Sequence, residues 1–158
     1  DRTQYQRGRK ILVVPPDPKV CSCYQLPPPE QWIHDTLALI KQYTDRPVEI
    51  RQRPPSRQVR VFTDTFSAAL QNDVSAVVVW TSNCGTEAVQ HGIPVVSLGP
   101  SSVTQISQPI EKIDNLDNLD QDHIEKLLRW LSYNQFTLSE MHKGVAWRLL
   151  QENYERIS

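Results

Sequence analysis

Five short apolar runs punctuate the chain: Lys10–Val14, Val48–Ile50, Val74–Trp80, Val95–Leu98 and a weaker one at Ile110–Ile113. The third reads Val-Ser-Ala-Val-Val-Val-Trp, β-branched and without polar alternation, which is the pattern of a strand covered on both faces. Such strands belong to parallel sheets. Between the runs the apolar spacing lengthens to three and four. Trp32, Ile33, Leu37 and Ile40 predict a helix over Glu30–Tyr43, and shorter helices are predicted over Thr65–Gln71 and Cys84–His91. Strand and helix alternating in this way is the signature of βαβ units with short right-handed crossovers. Beyond Ile113 only helical patterns remain. Asp120 or Asp122 is placed to cap a helix through Tyr133, and Thr137-Leu-Ser-Glu140 is a capping box opening a second helix to about Arg156. In that helix Met141, Val145, Leu149, Trp147 and Leu150 form a broad apolar face, expected to pack against a large surface, with Lys143, Arg148, Glu152 and Glu155 mostly outside it. The expected fold is α/β: a Rossmann-like parallel sheet flanked by helices over residues 1–113, extended by two C-terminal helices over 114–158 of the same domain.

Composition narrows the class. The 158 residues match one ordinary domain, or one half of a two-domain enzyme, and at this size roughly two-thirds of the unfolded surface is buried. A charged fraction of 22% with mean hydropathy −0.48 is far from a disordered polyelectrolyte. Seventeen Lys and Arg against eighteen Asp and Glu leave a net −1, so no global field favours nucleic acid or an anionic membrane. The apolar stretch Ala76–Trp80 is far short of the roughly twenty residues that cross a bilayer. Asp1–Lys10 lacks the apolar core of a signal peptide, so a cytoplasmic location is expected. Cys21, Cys23 and Cys84 are odd in number and do not form a disulfide framework; reduced thiols are expected. Cys21-Ser-Cys23 lacks the spacing of a zinc knuckle. The acidic run from Asp114 to Glu125 fails as a calcium loop, because the position that needs glycine holds Leu119. Capping and a solvated connection account for its carboxylates instead. No metal site is expected, and His34, His91, His123 and His142 are scattered, none placed as a base.

The chemistry concentrates in Trp80-Thr-Ser-Asn-Cys-Gly-Thr-Glu-Ala-Val-Gln-His-Gly-Ile-Pro-Val-Val-Ser-Leu-Gly-Pro100. A buried strand ends at Trp80, a turn of small polar residues leads into a short helix, Gly92 stops it and Pro94 opens another strand. Ser82, Asn83 and Thr86 beside backbone N–H groups suit an anion such as a diphosphate, and ligands of open parallel sheets bind beyond the strand carboxyl ends. The bland alternative is a structural turn, with Gly85 and Gly92 serving packing and capping and Glu87 solvated. A second cluster has five arginines, Arg46, Arg51, Arg53, Arg57 and Arg60, against Glu49, a net +4. Arg51 and Arg53 follow directly on the second predicted strand, on the same sheet edge as Ser82, a place from which guanidiniums can clasp phosphate oxygens bidentately; the alternative is that arginines in this proline-rich loop are simply solvated. Neither Gly-x-Gly-x-x-Gly nor a P-loop occurs.

The pattern Ser82-Asn-x-Gly-Thr-Glu-Ala-Val-x-x-Gly-Ile-Pro-Val-Val96 resembles the C-terminal donor-binding domain of GT-B glycosyltransferases, especially bacterial capsule and surface-polysaccharide transferases. The likeness covers Ala69–Pro100. It implies a nucleotide sugar bound as substrate with no further cofactor, Ser82, Asn83, Gly85 and Thr86 on its diphosphate with Arg51 and Arg53 beside them, and Glu87 near its ribose or sugar. Catalytic residues are not assigned. A second acidic residue found further along the helix in many such donor sites is absent here, where Val89-Gln90-His91 follows, so nucleotide and sugar stay open. A complete GT-B enzyme also has an N-terminal acceptor domain, which 158 residues cannot hold. The chain is therefore expected to be inactive alone and to work with such a domain or a second subunit. A sugar-nucleotide epimerase-like domain and a non-catalytic interaction module are the alternatives.

Overall fold

The computed structural model describes residues 8–52 and 65–155, in two compact units divided between Ile124 and Glu125. The first unit holds one wholly parallel sheet of β1 (Lys10–Val14), β2 (Val48–Ile50), β3 (Val74–Val79) and β4 (Val95–Ser97), in the order β2-β1-β3-β4. The apolar runs become these strands because both faces of the sheet are covered. Ile11, Val13, Ala76 and Val78 form one core with Trp32, Ile40, Ile110, Ile113 and Leu116. Their strand neighbours Leu12, Val77 and Val79 are equally excluded from solvent, so the central strands β1 and β3 show no polar alternation, whereas the edge strand β2 leaves Glu49 and Ile50 exposed.

The connections are α1 (Pro18–Cys23) and α2 (Pro29–Ile40) between β1 and β2, α3 (Phe66–Leu70) before β3, and α4 (Cys84–Gln90) between β3 and β4. Helix α1 has no counterpart in the sequence pattern, since six residues are too few to show a helical period. Asp17 caps it, accepting the Lys19 N–H at 2.9 Å. At the end of α4, Gly92 (φ 74°) donates to the Val89 carbonyl and Ile93 to that of Ala88, a Schellman closure that turns the chain into β4. The weakest predicted strand, Ile110–Ile113, is a 3-10 turn at Ile110–Lys112. Side chains three apart eclipse in such a turn, so Ile110 and Ile113 both reach the core without a strand.

At the amino edge of the sheet, Thr44 Oγ1 donates to Asp114 Oδ1 at 2.7 Å and Arg46 Nε donates to the same oxygen at 3.1 Å. Arg46 also reaches the Gly8 carbonyl at 3.1 Å. Asp114 therefore latches the entries to β1 and β2 instead of lying in a merely solvated connection. Asp120 accepts the Asp122 N–H, capping α5 (Gln121–Tyr133) as its sequence suggests.

In the second unit the capping box forms in full: Thr137 Oγ1 accepts the Glu140 N–H, and Glu140 accepts the Thr137 N–H. The expected single helix is nevertheless two, α6 (Leu138–His142) and α7 (Val145–Glu155), because Gly144 adopts φ 71° and ends the first. Leu138, Met141, Trp147, Leu149 and Leu150 are exposed. No helix among the described residues is long and apolar enough to cross a membrane.

Candidate functional site

Strand order decides where a ligand fits. From β1 the chain moves outward to β2, then crosses back to place β3 on the other side of β1, so the direction of winding reverses between β1 and β3. Loops leaving the carboxyl ends of those two strands diverge, and a cleft of about 490 Å³ opens between them. Val14 to Pro18 form one wall, Trp80 to Cys84 the other, and Arg51 and Phe66 close the side.

Of the residues expected to hold a donor, Arg51, Ser82 and Asn83 meet in this cleft. Arg51 is fixed by its own N–H, which donates to the Val13 carbonyl at 2.9 Å, and its guanidinium lies over the Phe66 ring, 5.8 Å from the centroid. Ser82 makes the turn: its Oγ accepts the Cys84 N–H at 3.2 Å and its carbonyl accepts that of Gly85 at 3.0 Å. Asn83 is exposed, and its carboxamide makes no hydrogen bond among the described residues. Cys84 also lines the cleft, where burial pushes its thiol pKa up against the lowering effect of the Ser82 hydrogen bond.

The other expected residues lie elsewhere. Gly85 is buried against the sheet, where an added Cβ would stand 3.0 Å from Val103 Cγ2 and 3.4 Å from Val79 Cγ2; its place in the fold is to let α4 approach. Thr86 Oγ1 pairs with Ser102 Oγ at 2.8 Å, beside the loop after β4. Glu87 is half-buried in the first turn of α4, outside the cleft lining. Arg53, Arg57 and Arg60 lie outside the described residues. Arg46 belongs to the latch at the opposite sheet edge.

Asp17, Phe66 and Trp80 are cleft residues that pattern reading did not single out. The Trp80 indole rests on Gly99, where an added Cβ would clash with ring atoms Cε2 and Cδ2, and Tyr24 meets it edge-on at 6.4 Å. Ser97 Oγ ties the backbone here, donating toward the carbonyls of Trp80 at 3.1 Å and Gly99 at 2.8 Å. Trp80 Nε1 is buried without a hydrogen-bond partner among the described residues. The signal that would have found Asp17 is its position just past β1, but that position matters only once the strand order is known. No group of three or more metal-ligating side chains occurs among the described residues.

Residues 33–104 match the family model described as capsule polysaccharide biosynthesis protein. The matched span is somewhat under half of the chain, and it carries Arg51, the Ser82 turn, α4 and β4. Searches of curated proteins and of solved structures returned no significant match.

Proposed function

We propose that the cleft between β1 and β3 binds the phosphate-bearing part of a nucleotide sugar, and that the chain is the donor half of a GT-B-type glycosyltransferase. The similarity to capsule polysaccharide biosynthesis proteins relates the chain to surface-polysaccharide synthesis in general. The narrower reading is carried by one observation: Arg51 from the loop after β2 and Ser82 and Asn83 from the loop after β3 converge at the switch point of a parallel sheet. A guanidinium offers a planar fork of donors that matches two phosphate oxygens, and the Ser82 hydroxyl and Asn83 amide add neutral donors on the facing wall. In this reading Gly85 acts indirectly, letting α4 sit close enough to the sheet to hold that wall. Transfer also needs an acceptor hydroxyl brought within reach of the donor and deprotonated. That task falls to a second domain or subunit.

The test is isothermal titration of the folded chain with UDP-, GDP-, ADP- and CMP-sugars. Binding of one class is expected, and Arg51→Ala should weaken it by about 1.5–3 kcal/mol, the worth of a charge-assisted hydrogen bond. Arg51→Lys, which keeps the charge and loses the fork, should recover only part of this. No binding at millimolar ligand by wild type with an intact thermal transition would overturn the reading and leave a non-catalytic module.

A further inference from the structure

The wall opposite Ser82 contains a group that a phosphate site does not want. Asp17 stands in the loop after β1, exposed and lining the cleft, and among the described residues it has no ion-pair partner. Its backbone is fixed in advance. Pro15, Pro16 and Pro18 have their φ locked by their rings, and the residue before a proline is held extended, as Asp17 is with φ −66° and ψ 149°. Oδ1 accepts the Lys19 N–H at 2.9 Å, which orients the carboxylate. Oδ2 makes no hydrogen bond among the described residues. The cleft therefore presents an oriented anionic acceptor with unspent lone pairs.

A diphosphate has no hydrogen to give Asp17 and repels it, so this carboxylate cannot belong to the phosphate grip. A ring bearing hydroxyls answers both objections, being uncharged and supplying O–H donors, and O–H to carboxylate is among the shorter and stronger hydrogen bonds. Resting on the nucleotide-sugar reading above, we infer that Asp17 accepts a hydroxyl of the polyol ring attached to the phosphate, either the transferred sugar or the ribose. Asp17 thereby takes the part that the family resemblance implies for Glu87, which lies outside the cleft lining. The acceptor is preformed, so little side-chain entropy is lost on binding.

Capping of α1 is the competing account, and substitution separates the two. Serine caps a helix about as well as aspartate but is shorter and uncharged. Asp17→Ser is to be titrated with UDP-glucose, GDP-mannose, ADP-glucose and CMP-N-acetylneuraminate, each beside its free nucleotide, with melting curves in parallel. The expected result is an unchanged melting temperature and about ten-fold or more weaker binding of the nucleotide sugar that wild type prefers. If the free nucleotide keeps its wild-type affinity, the transferred sugar is the partner; if it weakens equally, the ribose is. Should Asp17→Ser fold poorly, Asp17→Asn keeps both cap and size while losing the charge, and should still weaken binding. Wild-type affinity in the folded variants for every nucleotide sugar overturns this inference and leaves the phosphate site standing. A wild type that binds none of the probes, while still folded, removes both.

Discussion

Replacing Gly85 by valine tests whether this glycine faces the core or a ligand. Its ideal Cβ would stand 3.0 Å from Val103 Cγ2, 3.4 Å from Val79 Cγ2 and 3.7 Å from Val95 Cγ1, all three valines being fully buried. The first distance is already tight for a methyl contact, and valine adds two further carbons in the same direction. Overpacking of this kind costs about 1–3 kcal/mol, against a few tenths regained because valine is a better helix former than glycine. At about 3 °C per kcal/mol for a chain of this size, Gly85→Val should melt about 3–9 °C below wild type by circular dichroism or calorimetry. Gly85→Ala adds that Cβ alone, tight only against Val103, and gains up to about 1 kcal/mol of helix propensity, so it should lie near wild type. Nucleotide-sugar titration of both variants completes the experiment. A Gly85→Val chain that melts with wild type yet has lost nucleotide-sugar affinity would refute the packing argument and turn the Gly85 Cα toward the ligand.

Asp114 should make stability depend on acid. The Thr44 hydroxyl and then the Arg46 guanidinium hold its folded-state pKa below the ordinary carboxylate value, so its contribution is full above that value and is lost as pH falls through the lowered one. Urea unfolding of wild type and Asp114→Asn should differ at neutral pH and converge below about pH 4; a constant gap would refute this. Gly99→Ala should expel the Trp80 indole from its seat and shift tryptophan emission, while an unchanged spectrum would show that the ring is held otherwise. Thr137→Ala should cost about 1 kcal/mol at the start of α6, read as faster amide exchange at Glu140 and Met141; unchanged exchange would refute a stabilising cap.

The strands, α2, α3 and α4 are legible in the sequence because each is a local pattern. A β-branched run without polar alternation needs two covered faces, and a Gly-x-Pro after a short helix stops it and starts a strand. Capping chemistry is just as local, which is why Thr137-Leu-Ser-Glu140 marks a helix start wherever it occurs. Local pattern fails where an element is shorter than its own period, as in α1 and the turn at Ile110–Lys112, and where a single residue outweighs its neighbours, as Gly144 does by dividing the last helix. Half of the candidate site follows the same division. Ser82, Asn83 and Arg51 are visible as small polar and basic residues at strand ends. Which of their neighbours share the cleft was decided by the strand order β2-β1-β3-β4, which brings the end of β1 beside the end of β3 across more than sixty residues of sequence. Asp17 and Trp80 line the cleft, and Thr86 and Glu87 lie outside its lining, because of that pairing and of the face α4 turns to the sheet. Strand pairing and helix rotation are settled by burial of the whole apolar surface at once, and no window of sequence contains that sum.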